Sequence, residues 1–129
     1  MLDTSILSDL VRQPRGRAAA RIRHVGESAV LLSVFTAAEA RFGALRSDSE
    51  RLAAQLELVL ERFAIVAFEP PGDSRYAELR AELERAGTPI GGNDCWIAAH
   101  ALALDCTLVT ANEQEFRRVG GLRVENWLR

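Results

Sequence analysis

Four widely separated acidic residues are the side chains best suited to chemistry: Asp3, Glu39, Asp94 and Glu115, with Asn112 close to the last. Clustered carboxylates repel one another, so a site built from them needs a cation to be stable. Hard oxygen ligands select Mg²⁺, with Mn²⁺ as the other candidate. Such an ion activates water and stabilises the charge that develops on a phosphodiester, which is nuclease chemistry without a histidine.

Asp94 also has a simpler interpretation as a helix cap. The segment Gly91–Asp94 leads into residues that are apolar in most directions around a helix, which is typical of a buried helix with an Asn-Asp capping signal. A carboxylate in the first turn lies beside the positive end of that helix. If other carboxylates lie close to Asp94, the residue can both cap the helix and bind a metal ion, and the two interpretations no longer compete.

The elements that must position these residues alternate along the chain. The spacing of apolar residues predicts helices between short strands, and the strands are expected at Met1–Asp3, Ala29–Ser33, Ala64–Phe68, Thr107–Thr110 and Leu122–Trp127. Alternation without tight hairpins indicates an α/β fold in which helices cover a mostly parallel sheet. At 129 residues the chain is most simply one domain, residues 1–129.

This arrangement predicts that the polar residues converge at one edge of the sheet. Sites in parallel α/β folds form beyond the carboxyl ends of the strands. Asp3 ends the first strand and Glu39 lies in the helix after the second. Asp94 begins the helix before the fourth strand, and Asn112 and Glu115 follow that strand. Residues far apart in sequence are therefore expected to meet.

Glu39 stands beside an apolar stripe. Phe35, Ala38, Phe42 and Leu45 share one face of the expected helix from about residue 36 to 46, which predicts that this face packs into the core. A carboxylate on the shoulder of such a face is costly unless it is paired, hydrogen-bonded or bound to metal. A surface glutamate is the alternative.

Composition excludes several other mechanisms. All 16 basic residues are arginine, so a P-loop or a Schiff base, which need lysine, is excluded. His24 and His100 have no neighbouring nucleophile signature and are expected to be structural. No apolar run approaches the ~18 residues of a membrane span. The formal net charge of −2 means that contact with nucleic acid requires metal ions or a local basic patch.

The cysteines and the clustered arginines lead to two further predictions, one about the redox setting and one about a basic surface. Cys95 and Cys106 form neither a zinc motif nor a disulfide framework, which favours a reducing, cytoplasmic setting. The only dense basic cluster is a solvated face or a phosphate-contacting patch, and both interpretations stay open; its members are Arg12, Arg15, Arg17, Arg21 and Arg23.

Four blocks of the sequence, in order, resemble those of PIN domains, and within that family the chain is most similar to VapC-type toxins. The match spans essentially the whole chain. The blocks are Leu2–Ser8 (LDTSILS), Ser33 with Ala38-Glu39-Ala40 and Gly43, Ile90–Ala101 (IGGNDCWIAAHA), and Leu108–Phe116 (LVTANEQEF) with Gly121-Leu122 and Asn126-Trp127.

The resemblance implies a three-layer α/β/α PIN-like fold and a Mg²⁺-dependent endoribonuclease. It implies the toxin of a toxin–antitoxin pair that hydrolyses phosphodiester bonds in structured RNA, tRNA or ribosomal RNA. The implied partners are a cognate VapB-like antitoxin and a second copy of the chain in a homodimer. Apolar helical faces in the N-terminal half are expected to be mostly core, and a patch left over from the core is a candidate for the dimer seam or the antitoxin groove. The residues on these faces are Leu52, Leu56, Val59, Leu60 and Phe63, with Ala18, Ala19, Ala20 and Ile22.

The resemblance also assigns the site. Asp3, Glu39 and Asp94 match the acidic metal positions of the family. Many members have an aspartate where this chain has Asn112, so either Asn112 or Glu115 fills the fourth position. This departure keeps a second hypothesis open: a catalytically weak module that binds RNA or a partner. Thr110 resembles a small hydroxyl residue that orients a ligand or water.

Overall fold

The computed structural model describes residues 1–129 as helices around a small sheet. None of the helices combines the length and apolar character that crossing a bilayer requires. The helices are α1 (Thr4–Arg12), α2 (Arg17–Val25), α3 (Val34–Ser47), α4 (Glu50–Leu60), α5 (Gly72–Arg85), α6 (Gly92–Ala103) and α7 (Glu113–Phe116). The strands are β1 (Leu31–Ser33), β2 (Ala64–Val66), β3 (Leu108–Val109) and β4 (Val124–Glu125).

Leu2 occupies the centre of the sheet although its segment is too short to count as a strand. It forms parallel bridges with Leu32 of β1 on one side and Val109 of β3 on the other. β1 pairs with β2, and β3 pairs with β4, both in parallel. The order across the sheet is therefore β2, β1, the Leu2 segment, β3 and β4. The first two strands are therefore added on one side of the N-terminal segment, and the last two are added on the other side.

Two hydrophobic cores lie on opposite faces of this sheet. Successive side chains of a strand point to opposite faces, and here Leu2 and Leu32 belong to one core while Met1 and Leu108 belong to the other. Helices α1 to α4 supply the first core, and α5, α6 and α7 supply the second. The predicted three-layer α/β/α fold with a parallel sheet is confirmed.

The four strands lie within the predicted ranges but are shorter: β2 ends at Val66 rather than residue 68, and β4 covers Val124–Glu125 rather than residues 122–127. Asp3 caps α1, since its carboxylate accepts a hydrogen bond from the Thr4 amide. The second strand begins at Leu31 rather than residue 29, because a 3₁₀ turn occupies Glu27–Ala29. The Asn-Asp cap is wrong: α6 begins at Gly92 with Gly91 as an N-cap that has no side-chain bond. Asp94 thus lies inside the first turn, with its carboxylate free for other contacts.

Most of the predicted apolar face of α3 is not in the core; Phe35, at its start, is half-buried and packs against the second core. The side chains of Phe42 and Leu45 are 62% and 78% exposed, and Ala38 is exposed as well. The face that packs against α1 and α4 instead carries Ala37 and Ala44, which are buried. Small residues let neighbouring helices approach closely, so the bulky residues are left on the outer face, where they are available to a partner.

The two histidines differ in how deeply they are buried. His100 is 2% exposed, and both of its ring nitrogens lie within hydrogen-bonding distance of partners, as expected for a structural histidine. His24 is exposed on α2, so the same expectation is wrong there. The reason is that His24 lies on the polar face of α2, opposite the buried residues Ala18 and Ile22.

Burial in the first core predicts a matched pair of stability changes. Leu7→Ala removes a fully buried side chain from α1 and is expected to lower the free energy of unfolding by about 2–5 kcal/mol, because it leaves a cavity. Leu58→Ala on α4, where the side chain is 65% exposed, is expected to change it by less than about 0.5 kcal/mol. Urea unfolding of both variants measures the difference. Equal losses would contradict the described packing.

Candidate active site

Asp3 is the most firmly held of the candidate residues. It follows the central Leu2 segment, is 5% exposed, and caps α1. Its Oδ1 accepts from the Thr4 amide at 2.7 Å, and its Oδ2 accepts from Thr110 Oγ1 at 2.7 Å and Ser5 Oγ at 3.2 Å. Donors from both α1 and the end of β3 therefore fix the orientation of this carboxylate.

The loop after β3 is tied to the same point. Thr110 Oγ1, which donates to Asp3, accepts from the Asn112 amide at 2.9 Å. Ser5 Oγ accepts from the Ala111 amide at 3.1 Å. This pair of side-chain bonds sets where the chain leaves the sheet and enters α7, the helix that carries Glu115. Thr110 thus orients a carboxylate, which gives a definite contact to a residue whose role the resemblance implied.

Glu115 and Asn112, the two candidates for the fourth acidic position, are hydrogen-bonded to each other. Glu115 Oε1 accepts from the Gly91 amide at 2.7 Å, and the Asn112 side-chain amide donates to Glu115 Oε2. The Gly91 bond is the main reason why the pKa of Glu115 lies below its ordinary value, and the Asn112 bond adds to it. Glu115 supplies the carboxylate at this corner, and Asn112 supports it as a hydrogen-bond donor.

Asp94 is the carboxylate whose pKa is raised by the other acidic residues of the cluster. Burial raises the pKa of Asp94, and so, in that order, do the charges of Asp3, Glu115 and Glu39; together they bring it to about 7. A proton on Asp94 is also shared with the Glu115 carboxylate by a hydrogen bond, which favours the protonated Asp94 and the ionised Glu115. The four acidic residues predicted from sequence therefore meet at one edge of the sheet.

Glu39 joins the cluster from α3. Its Oε1 accepts from Thr4 Oγ1 at 3.2 Å, so the residue after the Asp3 cap also positions this carboxylate. The sequence reasoning did not identify Thr4 or the Gly91 amide as contributors. The position of Thr4 directly after the aspartate that ends the strand is a signal that could have identified it. A backbone amide leaves no such signal.

The chemistry of the cluster fits a hard divalent cation. None of the ion pairs in the structure involves Asp3, Glu39, Asp94 or Glu115, although the charge of Arg118 contributes to lowering the pKa of Glu115. As the side chains stand, no three acidic groups converge tightly enough to hold one ion. Mg²⁺ tolerates this, because it retains several waters and is often held by only one or two carboxylates. The carboxylate oxygens of the cluster are therefore suitable ligands for Mg²⁺.

An open groove of about 480 Å³ lies beside the acidic cluster. Thr4, Glu39 and Asn93 line it at the acidic end. Its other walls combine apolar and basic side chains from α1, α3 and α4, including Val11, Arg12, Phe42, Arg46, Leu52 and Leu56. Of the predicted basic cluster, Arg12 reaches this groove, whereas Arg21 stacks on Trp127 and pairs with Glu125 elsewhere.

Comparison with known proteins agrees with this geometry. The family model described as PIN domain matches residues 1–122. Ribonuclease VapC2 of Rickettsia felis is 40% identical over 99 residues, which are 76% of this chain and 74% of that protein. The tRNA(fMet)-specific endonuclease VapC of Shigella flexneri is 34% identical over 128 residues, which are 98% of this chain and 96% of that protein.

Solved structures with a similar fold are toxin–antitoxin complexes. VapBC-1 from nontypeable Haemophilus influenzae has a TM-score of 0.89 at 33% identity, covering 100% of this chain and 98% of that one. The DNA-bound VapBC from Salmonella typhimurium has a TM-score of 0.90 at 32% identity, covering 98% of this chain and 96% of that one.

The raised pKa of Asp94 predicts how stability depends on pH. Between about pH 4 and pH 7 the folded protein holds a proton on Asp94 that the unfolded chain has released, so the free energy of unfolding falls as pH rises. In metal-free buffer, Asp94→Asn is expected to remove this fall and to be about 1–2 kcal/mol more stable than wild type at pH 8, after allowance for solvent screening.

Denaturant unfolding at several pH values measures this effect. Glu82→Gln, an exposed carboxyl-to-amide change on α5, is the matched control and is expected to follow the wild-type profile. An Asp94→Asn variant with the same pH slope as wild type would contradict the electrostatic coupling of the four carboxylates.

Proposed function

The chain belongs to the PIN-domain family, and on this premise we propose that it is an endoribonuclease that acts as the toxin of a toxin–antitoxin pair. The observation that carries the proposal is the approach of Asp3, Glu39 and Glu115 to Asp94, with no ion pair to any of the four carboxylates. Relatives named ribonuclease and tRNA(fMet)-specific endonuclease support RNA, and tRNA in particular, as the substrate class.

Mg²⁺, with Mn²⁺ as a substitute, is the cofactor in this proposal. Asp3, Glu39, Asp94 and Glu115 would hold it, and it would supply activation of water and neutralisation of charge on the phosphodiester. Cation binding would favour the ionised form of Asp94, because a positive charge opposes both burial and the charge of the neighbouring carboxylates, which raise the pKa of that residue. The donors Thr4, Ser5 and Thr110 keep Asp3 oriented before any ligand arrives, which reduces the reorganisation that catalysis requires.

The groove gives the substrate a route to the carboxylates. Arg12 and Arg46 border it and can contact RNA phosphates, although the chain as a whole carries a formal net charge of −2. Contacts of this kind orient an RNA backbone without reading its sequence. A cytoplasmic location, where Cys95 and Cys106 stay as free thiols, belongs to the same proposal.

The second candidate is a catalytically weak module that binds RNA or a partner. Asn112 motivated it, since an amide brings no charge to the metal site. The bond from Asn112 to Glu115 weakens this argument, because Glu115 stands next to Asp94 and brings the fourth carboxylate itself. The enzyme is therefore the function that the geometry supports best.

Cleavage of bulk tRNA in Mg²⁺ tests the enzymatic proposal. Asp94→Asn is expected to lower the rate at least about a thousandfold, because several kcal/mol of transition-state stabilisation would be lost and each 1.4 kcal/mol is a factor of ten. Asp73→Asn, an exposed aspartate in the first turn of α5, is the control and is expected to keep wild-type activity. Wild-type protein that binds tRNA but never cuts it in Mg²⁺ or Mn²⁺ would favour the second candidate.

A VapB-like antitoxin is the protein partner in this proposal, as the similar VapBC complexes suggest. The exposed Phe42 lies in the groove next to Glu39, so an antitoxin segment that covers Phe42 would also block the acidic cluster. A homodimer stays a prediction. The exposed Ile65 on the edge strand β2 and Val34 on α3 are apolar residues outside the groove that such an interface can use.

The antitoxin surface predicts different effects for two exposed residues. Phe42→Asp is expected to weaken binding of the cognate antitoxin at least about tenfold, because it buries a charge at an aromatic anchor. Leu58→Asp changes a side chain of similar exposure on α4 outside the groove and is expected to leave affinity unchanged. Calorimetric titration measures both, and equal affinities for the two variants would place the antitoxin elsewhere.

A further inference from the structure

His100 is a buried polar residue that the proposed chemistry does not use. Its Nδ1 lies 2.8 Å from Ser33 Oγ, and its Nε2 lies 3.2 Å from the carbonyl oxygen of Ala67. Ser33 is fully buried and ends β1, and Ala67 follows β2. One imidazole therefore connects α6 with the ends of two strands.

The partners determine the protonation of the ring. The Ala67 carbonyl can only accept, so Nε2 must carry the hydrogen. Ser33 Oγ already accepts from the Phe35 amide at 3.1 Å, and its own hydrogen is then free to donate to a bare Nδ1. This neutral tautomer satisfies every donor and acceptor in the chain of bonds. Burial lowers the pKa of His100, in agreement with a neutral ring.

Aromatic rings enclose this link. The rings of Phe35 and Phe68 pack edge-on against His100 at centroid distances of 6.3 and 5.2 Å, and both also contact Trp96. Hydrogen bonds shielded from water in this way are stronger electrostatically than exposed ones, and an unpaired polar group there is costly. The link is therefore a firm connection between α6 and β1.

The link lies at a fixed distance from two carboxylates of the site. Asp94 precedes His100 by six residues on α6, and Glu39 follows Ser33, the N-cap of α3, by six residues, which is about 9 Å along each helix. At one end the two helices are joined by the Ser33–His100 bond. Near the other end Glu39 and Asp94 repel each other.

We propose that His100 is a positioning residue that sets the separation of Asp94 and Glu39 by holding α6 to the N-terminus of α3 through Ser33. The bond resists the repulsion between the carboxylates and so limits how far they move apart in the metal-free protein. The proposal rests on the proposed nuclease function for its importance, but the linkage itself can be measured without it.

Two conservative variants separate the two bonds of the ring. The side-chain oxygen of asparagine lies as many bonds from Cα as Nδ1, so His100→Asn can keep the acceptor for Ser33. The amide nitrogen of glutamine matches Nε2, so His100→Gln can keep the donor for Ala67. Both remove ring volume from the aromatic surroundings, and a merely structural role predicts similar effects for the two. Positioning through Ser33 predicts that the asparagine variant is the milder one.

The first readout needs neither metal nor RNA. In metal-free wild type, nitrogen NMR of His100 is expected to show the neutral Nε2–H tautomer. The amide resonances of Glu39 and Asp94 are expected to move in His100→Gln and to stay near their wild-type positions in His100→Asn. An Nδ1–H tautomer, or equal movements in the two variants, would overturn the proposal.

The second readout is Mn²⁺ affinity and cleavage of bulk tRNA. His100→Gln is expected to bind Mn²⁺ about tenfold more weakly and to cut at saturating tRNA about ten to a hundredfold more slowly, with KM unchanged. His100→Asn is expected to stay within about threefold of wild type. Equal losses in both variants would overturn the proposal. Wild type that neither binds Mn²⁺ nor cuts tRNA would overturn the nuclease function instead, and the amide shifts would still decide the role of His100.

Discussion

Repulsion among four carboxylates is the constraint on which the rest of the structure depends. Asp3, Glu39, Asp94 and Glu115 come from four different segments, and none of them forms an ion pair with an arginine. Such a cluster costs free energy of folding, so the surrounding packing must hold it together. The hydroxyls of Thr4, Ser5 and Thr110 and the Gly91 amide do this locally by donating to the carboxylates. A divalent cation would then relieve the strain that the fold alone sustains.

The order of the strands explains why these residues meet. Strands β1 and β2 lie on one side of the Leu2 segment, and β3 and β4 lie on the other. The connections that follow β1 and β3 therefore turn in opposite directions on either side of Asp3. A crevice at such a reversal is where α/β proteins bind their ligands. Two separate cores, one on each face of the sheet, keep the crevice walls rigid.

The sequence was informative where local pattern and tertiary packing agree. The helix at Arg17–Val25, the cap at Asp3 and the convergence of the acidic residues could all be predicted from spacing and strand order. The face of α3 could not, because the periodicity that marks Phe42 and Leu45 as apolar does not distinguish a core from a surface kept for a partner. Likewise, Asn112 precedes Glu115 by one helical turn, and only side-chain contacts decide which of them reaches Asp94.

The central place of Leu2 and Asp3 also affects how the protein is made. The bond between Asp3 and Thr110 joins residues 107 positions apart, and Leu2 needs β3 to complete its pairing. At ordinary rates of translation the first residues must wait on the order of ten seconds for those partners to be synthesised. The catalytic edge therefore cannot form on a partly translated chain. An enzyme that cuts RNA of the translation machinery would stay harmless to the ribosome that is making it until β3 has been made.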